Sequence, residues 1–320
     1  MRWHRLGKSE LRVPALGLGC MGLSEFYSAT TPAEALRMIQ YTVDCGITFL
    51  DTADMYGAGE NERLVGRAIK SLREQIQLAT KCGIVRTETG AQRNGKPHYI
   101  RRACEDSLRR LATDRLDLYY LHRVDPCTPV EESMLAMADL VKQGKVRYVG
   151  LSKVDETTLR RANAVHPITA VQMEFSLWAP QISGTFLKVC RALDVAVVAY
   201  SPLCKGLLSA KLTWSDVQKA TAWRREDPRF EPSEFKRGLA QLAALRRLAF
   251  KTQSTPAQLA LAWLLQHDRL VTPIPGMRTP AHVQENLKAL DLLLSPETLA
   301  ELTTIAMSYA MPRDRKAGAA

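Results

Sequence analysis

Short apolar runs alternate with longer amphipathic stretches along the chain, from residue 16 to residue 290. Eight of the short runs have the length of β-strands, and the stretches between them have helical periodicity. The predicted strands are 16–19, 48–51, 77–81, 116–122, 146–151, 170–174, 196–200 and 270–273. Strands that alternate with helices form parallel βαβ units, and eight such units close a barrel. The pattern therefore predicts an α/β protein with a (β/α)8 TIM barrel.

Four segments carry the same signal for the start of a helix. Each places Ser or Thr at the N-cap and proline at the first helical position, where the missing N–H costs nothing. The pairs are Thr31-Pro32, Thr128-Pro129, Thr255-Pro256 and Ser295-Pro296. In the first three, Glu or Gln lies where it can complete a capping box. We expect a helix to begin at each of these prolines.

No internal repeat, low-complexity stretch or linker divides the 320 residues, so we expect a single domain. Residues 2–13, within the N-terminal segment 1–15, are expected to form a hairpin that caps the barrel floor. Residues 310–320 are polar and small, which is typical of a flexible tail. The stretch 203–232, after the seventh strand, is unusually long for a βα connection, and long loops often have a function.

Charge, cysteine content and the lack of long apolar runs exclude several classes of protein. The net charge is +11, but basic residues are interleaved with acidic ones, which favours a phosphorylated small ligand and a basic surface over nucleic acid. Seven scattered cysteines without a C-x-x-C pair argue against a disulfide framework or a metal site. No apolar run approaches the ~18–20 residues that span a bilayer, and no secretory signal is evident. We therefore expect a cytoplasmic protein.

Gly17, Gly19 and Gly22 satisfy the G-x-G-x-x-G pattern of dinucleotide-binding turns. That turn requires a helix to begin at the last glycine, so that the pyrophosphate meets the helix N-terminus. Here the next helix is expected only at Pro32. We therefore reject a Rossmann fold and expect these glycines to allow close backbone approach at the end of the first strand.

Ionisable residues follow three successive predicted strands. Asp51 ends the second strand, Lys81 the third and His122 the fourth, and Tyr56 follows shortly after Asp51. Catalytic groups of barrels lie at these carboxyl ends. A phenol titrates near ~10, and a neighbouring ammonium lowers that pKa. The set therefore predicts proton transfer to a carbonyl oxygen: Tyr56 as donor, Lys81 tuning it, Asp51 anchoring Lys81, and His122 orienting the substrate.

Each of these residues also has a purely structural explanation when it is considered singly. Asp51 could cap a turn, Tyr56 could pack at the rim, and Lys81 could be a solvated strand end. His122 could be a satisfied rim histidine. Their joint position at three consecutive strand ends favours catalysis.

The chain resembles the aldo-keto reductase superfamily, in particular its bacterial and plant branch of aldehyde and ketone reductases. The resemblance covers roughly residues 3 to 295. Its motifs are at residues 17–19, 49–57, 79–81, 117–123, 150–152, 171–172, 200–203, 274–276 and 285–286. It implies an enzyme that reduces an aldehyde or ketone with NADPH, with Asp51, Tyr56, Lys81 and His122 as its catalytic residues.

The resemblance also implies where the cofactor lies. Ser152 and Gln172 would hold the nicotinamide amide, Tyr200 would stack on the ring, and Arg278 would pair with the 2′-phosphate. The full implied cofactor set is Gly19, Cys20, Met21, Asp51, Ser152, Gln172, Tyr200, Ser201, Pro202, Leu203, Gly206, Gly276, Arg278, His282, Glu285 and Asn286.

Three positions depart from the family pattern. Lys153 follows Ser152 where the family has Asn or an acid, Met277 replaces a hydroxyl residue, and His282 replaces Arg or Gln. The expected preference for NADPH over NADH therefore depends mainly on Arg278.

The carbonyl substrate is expected to contact Phe26, Tyr27 and Trp178, together with the long loop that carries Trp214 and Trp223. Its identity and the oligomeric state are not defined by the sequence. The same residues would also serve NADP-dependent oxidation of a secondary alcohol or sugar. A regulatory, redox-sensing subunit that binds the cofactor is an alternative of another class. A barrel lyase would show no dependence on a nicotinamide cofactor.

Overall fold

The computed structural model describes residues 1–24, 30–88 and 90–308, and only the backbone of residues 183, 222 and 223. The strands are β1 (Trp3–Arg5), β2 (Arg12–Pro14), β3 (Leu18–Gly19), β4 (Phe49–Asp51), β5 (Gln77–Cys82), β6 (Ile84–Thr87), β7 (Gly90–Arg93), β8 (Leu116–Leu121), β9 (Val146–Ser152), β10 (Ala170–Glu174), β11 (Ala196–Tyr200) and β12 (Val271–Pro273). The helices are α1 (Pro32–Asp44), α2 (Glu60–Ile69), α3 (Pro97–Leu111), α4 (Val130–Lys142), α5 (Glu156–Val165), α6 (Thr185–Leu193), α7 (Trp214–Gln218), α8 (Ala222–Arg225), α9 (Pro232–Lys251), α10 (Pro256–His267), α11 (Pro280–Leu287) and α12 (Pro296–Ser308).

Eight strands form one parallel sheet in the order β3-β4-β5-β8-β9-β10-β11-β12. Gly17 N–H donates to Pro273 O at 3.0 Å and Gly19 N–H donates to Pro275 O at 3.2 Å, which joins the first segment to the last. The sheet thus curls into the predicted (β/α)8 barrel. All eight predicted strands are confirmed, each within two residues at either end.

Gly17 and Gly19 are required by close packing where the first barrel strand meets the last. A Cβ on Gly17 would lie 2.7 Å from Phe49 Cδ1, and one on Gly19 would lie 2.8 Å from Ile274 O. After β3 the chain forms a short 3-10 turn, Cys20–Leu23, and α1 begins only at Pro32. The rejection of a dinucleotide-binding turn is therefore confirmed.

The N-terminal hairpin, β1 paired with β2, closes one end of the barrel as predicted. Leu6, Leu11 and Val13 belong to the same buried cluster as Phe49, Ala79, Leu118, Ala170 and Ala196 of the strands. Lys8 N–H donates to Asp194 O, just before β11 begins, which places the hairpin at the amino ends of the strands. Because this end is filled with apolar side chains, a polar ligand reaches the barrel from the carboxyl ends.

Three of the four predicted helix starts are confirmed. Thr31 and Thr255 form capping boxes with Glu34 and Gln258, and α12 begins at Pro296. The fourth is wrong, because α4 begins at Val130 and its N-cap is Pro129.

The reason for the failed cap is a competing acceptor. Thr128 donates its hydroxyl to Asp125 Oδ2 at 2.8 Å instead of accepting from the helix. Glu131, the expected capping-box partner, pairs with Arg161 at 2.7 Å.

Two connections at the carboxyl ends carry structure of their own. The antiparallel hairpin of β6 and β7, which the sequence pattern did not reveal, follows β5. The long connection after β11 contains α7, α8 and the 3-10 turns Cys204–Ser209 and Pro228–Phe230, packed down through buried Leu207, Leu208 and Val217. The predicted tail, 310–320, lies outside the described residues. No helix of the described ranges is long and apolar enough to span a membrane.

Candidate active site

Three neighbouring strands bring the predicted proton-transfer residues together. Asp51 ends β4, Lys81 lies near the end of β5, and His122 directly follows β8, and these strands are adjacent in the sheet. Tyr56 begins a 3-10 turn after β4, in which Gly57, Ala58 and Gly59 all have positive φ. This tight left-handed turn leads directly into α2.

Lys81 is the centre of the site and is fully buried. Its Nζ donates to Asp51 Oδ1 at 2.5 Å, to Thr52 O at 2.7 Å and to the Tyr56 hydroxyl at 3.3 Å. The other carboxylate oxygen of Asp51 accepts from Gln172 Nε2 at 2.7 Å. The ammonium is therefore held by two oxygens while its third contact is the phenol.

Burial and charge act in opposite directions on these groups. Burial alone lowers the pKa of Lys81, but its interactions with Asp51 first and with Tyr56 second raise that pKa by more, so the ammonium stays charged. Burial raises the pKa of Tyr56, and the Lys81 ammonium only partly opposes this. The expected net lowering of the Tyr56 pKa is thus wrong in direction, because burial outweighs the cation. The phenol remains protonated, as a proton donor must be.

His122 faces Tyr56 across the mouth, with ring centroids 5.9 Å apart and the planes almost perpendicular. Burial lowers its pKa well below the usual range, and the cations Lys81, Arg123 and Lys153 lower it further. The imidazole is therefore neutral and can donate one N–H. Its buried Nδ1 has no hydrogen-bond partner among the described residues.

These side chains line a cavity of about 350 Å³ at the carboxyl ends of the strands. Of the residues predicted to bind the cofactor, the cavity wall includes Gly19, Met21, Asp51, Ser152, Gln172, Tyr200, Ser201 and Gly276. Pro202, Leu203 and Gly206 lie on the segment that continues from Ser201. Cys20 is buried beside the wall, where burial raises the pKa of its thiol. A cavity of this volume has room for two small chemical groups in contact with each other.

A second group of predicted residues lies directly before α11 and along it, from Arg278 to Asn286. Arg278 donates through Nη2 to Thr30 at 3.2 Å, and its N–H faces His282 Nδ1 at 3.4 Å. Glu285 pairs with Lys211 at 2.8 Å. Arg278 Nε and Asn286 Nδ2 are buried donors without a hydrogen-bond partner in the described part of the chain. The orphaned Arg278 donor, just before the N-terminus of α11, fits an anionic ligand, and the orphaned Asn286 amide in the last turn of α11 fits a further polar group.

The sequence analysis missed a set of charged residues in the cavity wall. Arg229 contacts Glu174 at 2.6 Å and Asp227 at 2.6 Å, and Lys205 contacts Asp227 at 2.5 Å. All except Glu174 come from the long connection after β11, whose length was the available signal. Arg123 could have been found from its place directly after His122.

Of the three predicted substrate residues, only Trp178 lies in the described part of the chain. Trp178 is 1% exposed and packs in the hydrophobic core, and it is absent from the described cavity wall. Phe26 and Tyr27 lie outside the described residues. Met55, Ile84 and Ala91 instead supply apolar wall near the catalytic residues. Trp214, 37% exposed, packs on Phe235. No group of three or more His, Cys, Asp or Glu side chains suited to a metal occurs in the described ranges.

The chain is similar to known proteins in sequence and in fold. The model of the aldo/keto reductase family matches residues 15–307. The chain is 43% identical over 301 residues to probable aldo-keto reductase 1 of Glycine max, a match that spans 93% of this chain and 87% of that protein.

The fold is also similar to those of solved structures. A glycerol dehydrogenase from Gluconobacter oxydans superposes with a TM-score of 0.86 at 27% identity, over 98% of each chain. An aldo/keto reductase from Klebsiella pneumoniae, solved with NADP and acetate, superposes with a TM-score of 0.75 at 29% identity, over 98% of this chain and 97% of that one.

Proposed function

The chain belongs to the aldo/keto reductase family, and we propose that it uses NADPH to reduce an aldehyde or ketone to the alcohol. One observation carries the proposal: the buried Lys81 ammonium lies 3.3 Å from the Tyr56 hydroxyl in a cavity that His122 also lines. Bound NADPH supplies the hydride in this chemistry. The chain must then supply a proton and hold the carbonyl group.

The four residues divide this work. Tyr56 donates its phenolic proton to the carbonyl oxygen as that oxygen becomes negative, and His122 orients the oxygen with an N–H hydrogen bond. A developing alkoxide is more basic than a phenolate, so even a phenol with a raised pKa can protonate it. Lys81 stabilises the phenolate that remains. Asp51, held by Gln172, fixes Lys81 in place.

The residues at the mouth of the barrel have side chains that match the successive parts of NADPH. Ser152, Gln172 and Tyr200 share the cavity with Tyr56, so they would hold the nicotinamide within reach of the carbonyl carbon. The segment from Ser201 to Gly206 would carry the pyrophosphate. Arg278 and Asn286, with their orphaned donors, would take the 2′-phosphate and the adenosine. The Klebsiella relative was solved with NADP, which supports a nicotinamide dinucleotide phosphate as the cofactor.

Oxidation of a secondary alcohol is a second candidate function, because the Gluconobacter relative is a glycerol dehydrogenase. The same four residues serve both directions, with Tyr56 accepting the proton instead of donating it. A cytoplasmic location accompanies either function, in keeping with seven cysteines that are all free.

The test is a panel of aldehydes and ketones assayed by NADPH absorbance with wild type and Tyr56→Phe. We expect the variant to bind NADPH but to lose at least ~100-fold in kcat, the scale of a general-acid contribution. Tyr41→Phe is the matched control, since the hydroxyl of Tyr41 accepts an exposed hydrogen bond from Gln284 Nε2 at 2.9 Å and does not line the described cavity.

Near-normal turnover by Tyr56→Phe would contradict the assigned donor. NADPH binding by the wild type without turnover on any carbonyl or alcohol would instead favour a regulatory, redox-sensing subunit.

A further inference from the structure

The β6–β7 hairpin presents one of its two faces to the cavity. Ile84 and Ala91 belong to the same face, because the register pairs Ala91 with Arg86, and Arg86 lies two residues after Ile84. Both Ile84 and Ala91 line the cavity. Val85 and Gln92, which point to the other side, are not among the described wall residues. The alternation of the strands therefore gives the hairpin a cavity face and an outer face.

The hairpin is fixed at its base and along one side. At the base, Asn94 N–H donates to Gly83 O at 3.1 Å. Along the side, Arg86 Nε donates to Met55 O at 3.0 Å. Met55 directly precedes Tyr56, so the hairpin is joined to the turn that carries the proposed proton donor.

Three apolar side chains extend the cavity wall away from the reacting groups. Met55, Ile84 and Ala91 line the same cavity as Tyr56 and His122. Ile84 is 8% exposed, whereas Ala91 is exposed, so this wall runs from the interior to the rim of the mouth. A substrate side chain that lies along it would bury apolar area, which strengthens binding by about fourfold for each CH₂ group.

Most of the rest of the described wall is polar or is assigned to the cofactor. Met21, Ser152 and Gln172 belong to the part that would hold the cofactor. Asp227 and Arg229 line another part and pair with each other at 2.6 Å. An apolar group placed against these ions would remove water from them without replacing its hydrogen bonds. The cavity face of the hairpin is therefore the more favourable place for an apolar substituent.

On the premise that the proposed function holds, we propose that the β6–β7 hairpin recognises the substrate, and that Met55, Ile84 and Ala91 select aldehydes and ketones with an apolar substituent of several carbon atoms. These three residues determine specificity and take no part in proton transfer. A long substituent would cover the wall and displace its water, whereas a short one would leave the wall hydrated.

A carboxylate on the substrate is the alternative that this hairpin must be tested against. Arg86 lies on the same face as Ile84 and Ala91. If the hairpin recognised a negative charge, an aldehyde with a terminal carboxylate would be a better substrate than its uncharged counterpart. Succinic semialdehyde and butanal, which have four carbon atoms each, make this comparison.

The experiment first measures kcat/KM of the wild type with NADPH for the straight-chain aldehydes from propanal to heptanal. We expect kcat/KM to rise at least about tenfold over this series, because each added CH₂ buries further area on the hairpin. Butanal should have a higher kcat/KM than succinic semialdehyde.

The variants then test whether the hairpin is the cause. Ile84→Ala should lower the ratio of kcat/KM for heptanal to that for propanal at least about fivefold, because it removes apolar wall. Val85→Ala is the matched control, since Val85 is the next residue and faces the other side, and its ratio should equal that of the wild type. Ala91→Asn makes the exposed part of the wall polar without disturbing a buried site, and it should lower the ratio as well. Titration with NADPH checks that the Kd of the cofactor is the same in all three variants.

Two results with the wild type would overturn the inference while the proposed function stood: a kcat/KM that does not rise with chain length, or a higher value for succinic semialdehyde than for butanal. Equal ratios in Ile84→Ala, Ala91→Asn and Val85→Ala would also overturn it. If the wild type bound NADPH but reduced no carbonyl compound at all, the proposed function and the inference would both be wrong.

Discussion

At the scale of single residues, Lys81 shows how burial and pairing create a functional group. An isolated ammonium would lose its proton in so dry a place, yet Asp51 and Thr52 O hold it charged. The cost of burying this pair is large, and truncating one partner leaves the other uncompensated. The site therefore depends on the complete group, and its residues should not behave additively when they are changed together.

Arg278 is the residue that we propose discriminates between NADPH and NADH. Its guanidinium lies at the N-terminus of α11, with a buried Nε that lacks a protein partner in the described residues. We expect Arg278→Ala to raise the Kd of NADPH at least about tenfold, because charge-assisted contacts to a phosphate contribute on this scale. The Kd of NADH should change little. Titration of both nucleotides measures this, and equal losses for the two would remove the 2′-phosphate assignment.

At the scale of elements, the long connection after β11 is fixed to the barrel by buried ions. Asp227 accepts from Arg229 Nε at 2.8 Å and from Arg229 Nη2 at 2.6 Å, and it also pairs with Lys205. Arg229 reaches across to Glu174 at the end of β10. The connection thus adjoins the cavity through charge pairs as well as apolar packing, so its conformation and the shape of the cavity are coupled.

This cluster predicts a dependence of stability on pH. Burial opposes ionisation of Asp227, but Arg229 and Lys205 outweigh it and lower the pKa of Asp227 from 3.8 to about 2. A lowered pKa contributes about 2 kcal/mol that is present above pH ~4 and is lost as the pH falls toward 2. We expect Asp227→Asn to lower the free energy of unfolding at pH 7. The variant should also lose less stability than the wild type as the pH falls from 4 to 2, as measured by denaturant titrations.

Asp114→Asn is the control for that experiment, since Asp114 is 83% exposed and its ion pair with half-buried Arg115 is accessible to solvent. If Asp227→Asn lost as much stability as the wild type between pH 4 and pH 2, the assignment of this loss to Asp227 would be contradicted.

At the scale of the whole molecule, the two ends of the barrel differ: the hairpin closes the amino end, and the cavity opens at the carboxyl end. Leu6 of the hairpin is fully buried with the inward-facing strand residues. We expect Leu6→Ala to reduce the free energy of unfolding by about 2–5 kcal/mol, because it leaves a cavity in the barrel interior. Leu293→Ala, at an 82% exposed position, should cost little. Urea titration compares the two, and equal effects would show that the hairpin does not complete the core.

The sequence by itself determined the order of elements and the positions of the reacting groups. Strand and helix periodicities are local, so the eight strands could be predicted closely, and the carboxyl ends of parallel strands meet at one face. Asp51, Lys81 and His122 therefore had to converge. Only the tertiary structure decided the direction of the Tyr56 pKa, the failed cap at Thr128 and the ion cluster around Asp227. Each of these depends on burial or on partners distant in sequence, and local pattern carries no information about either.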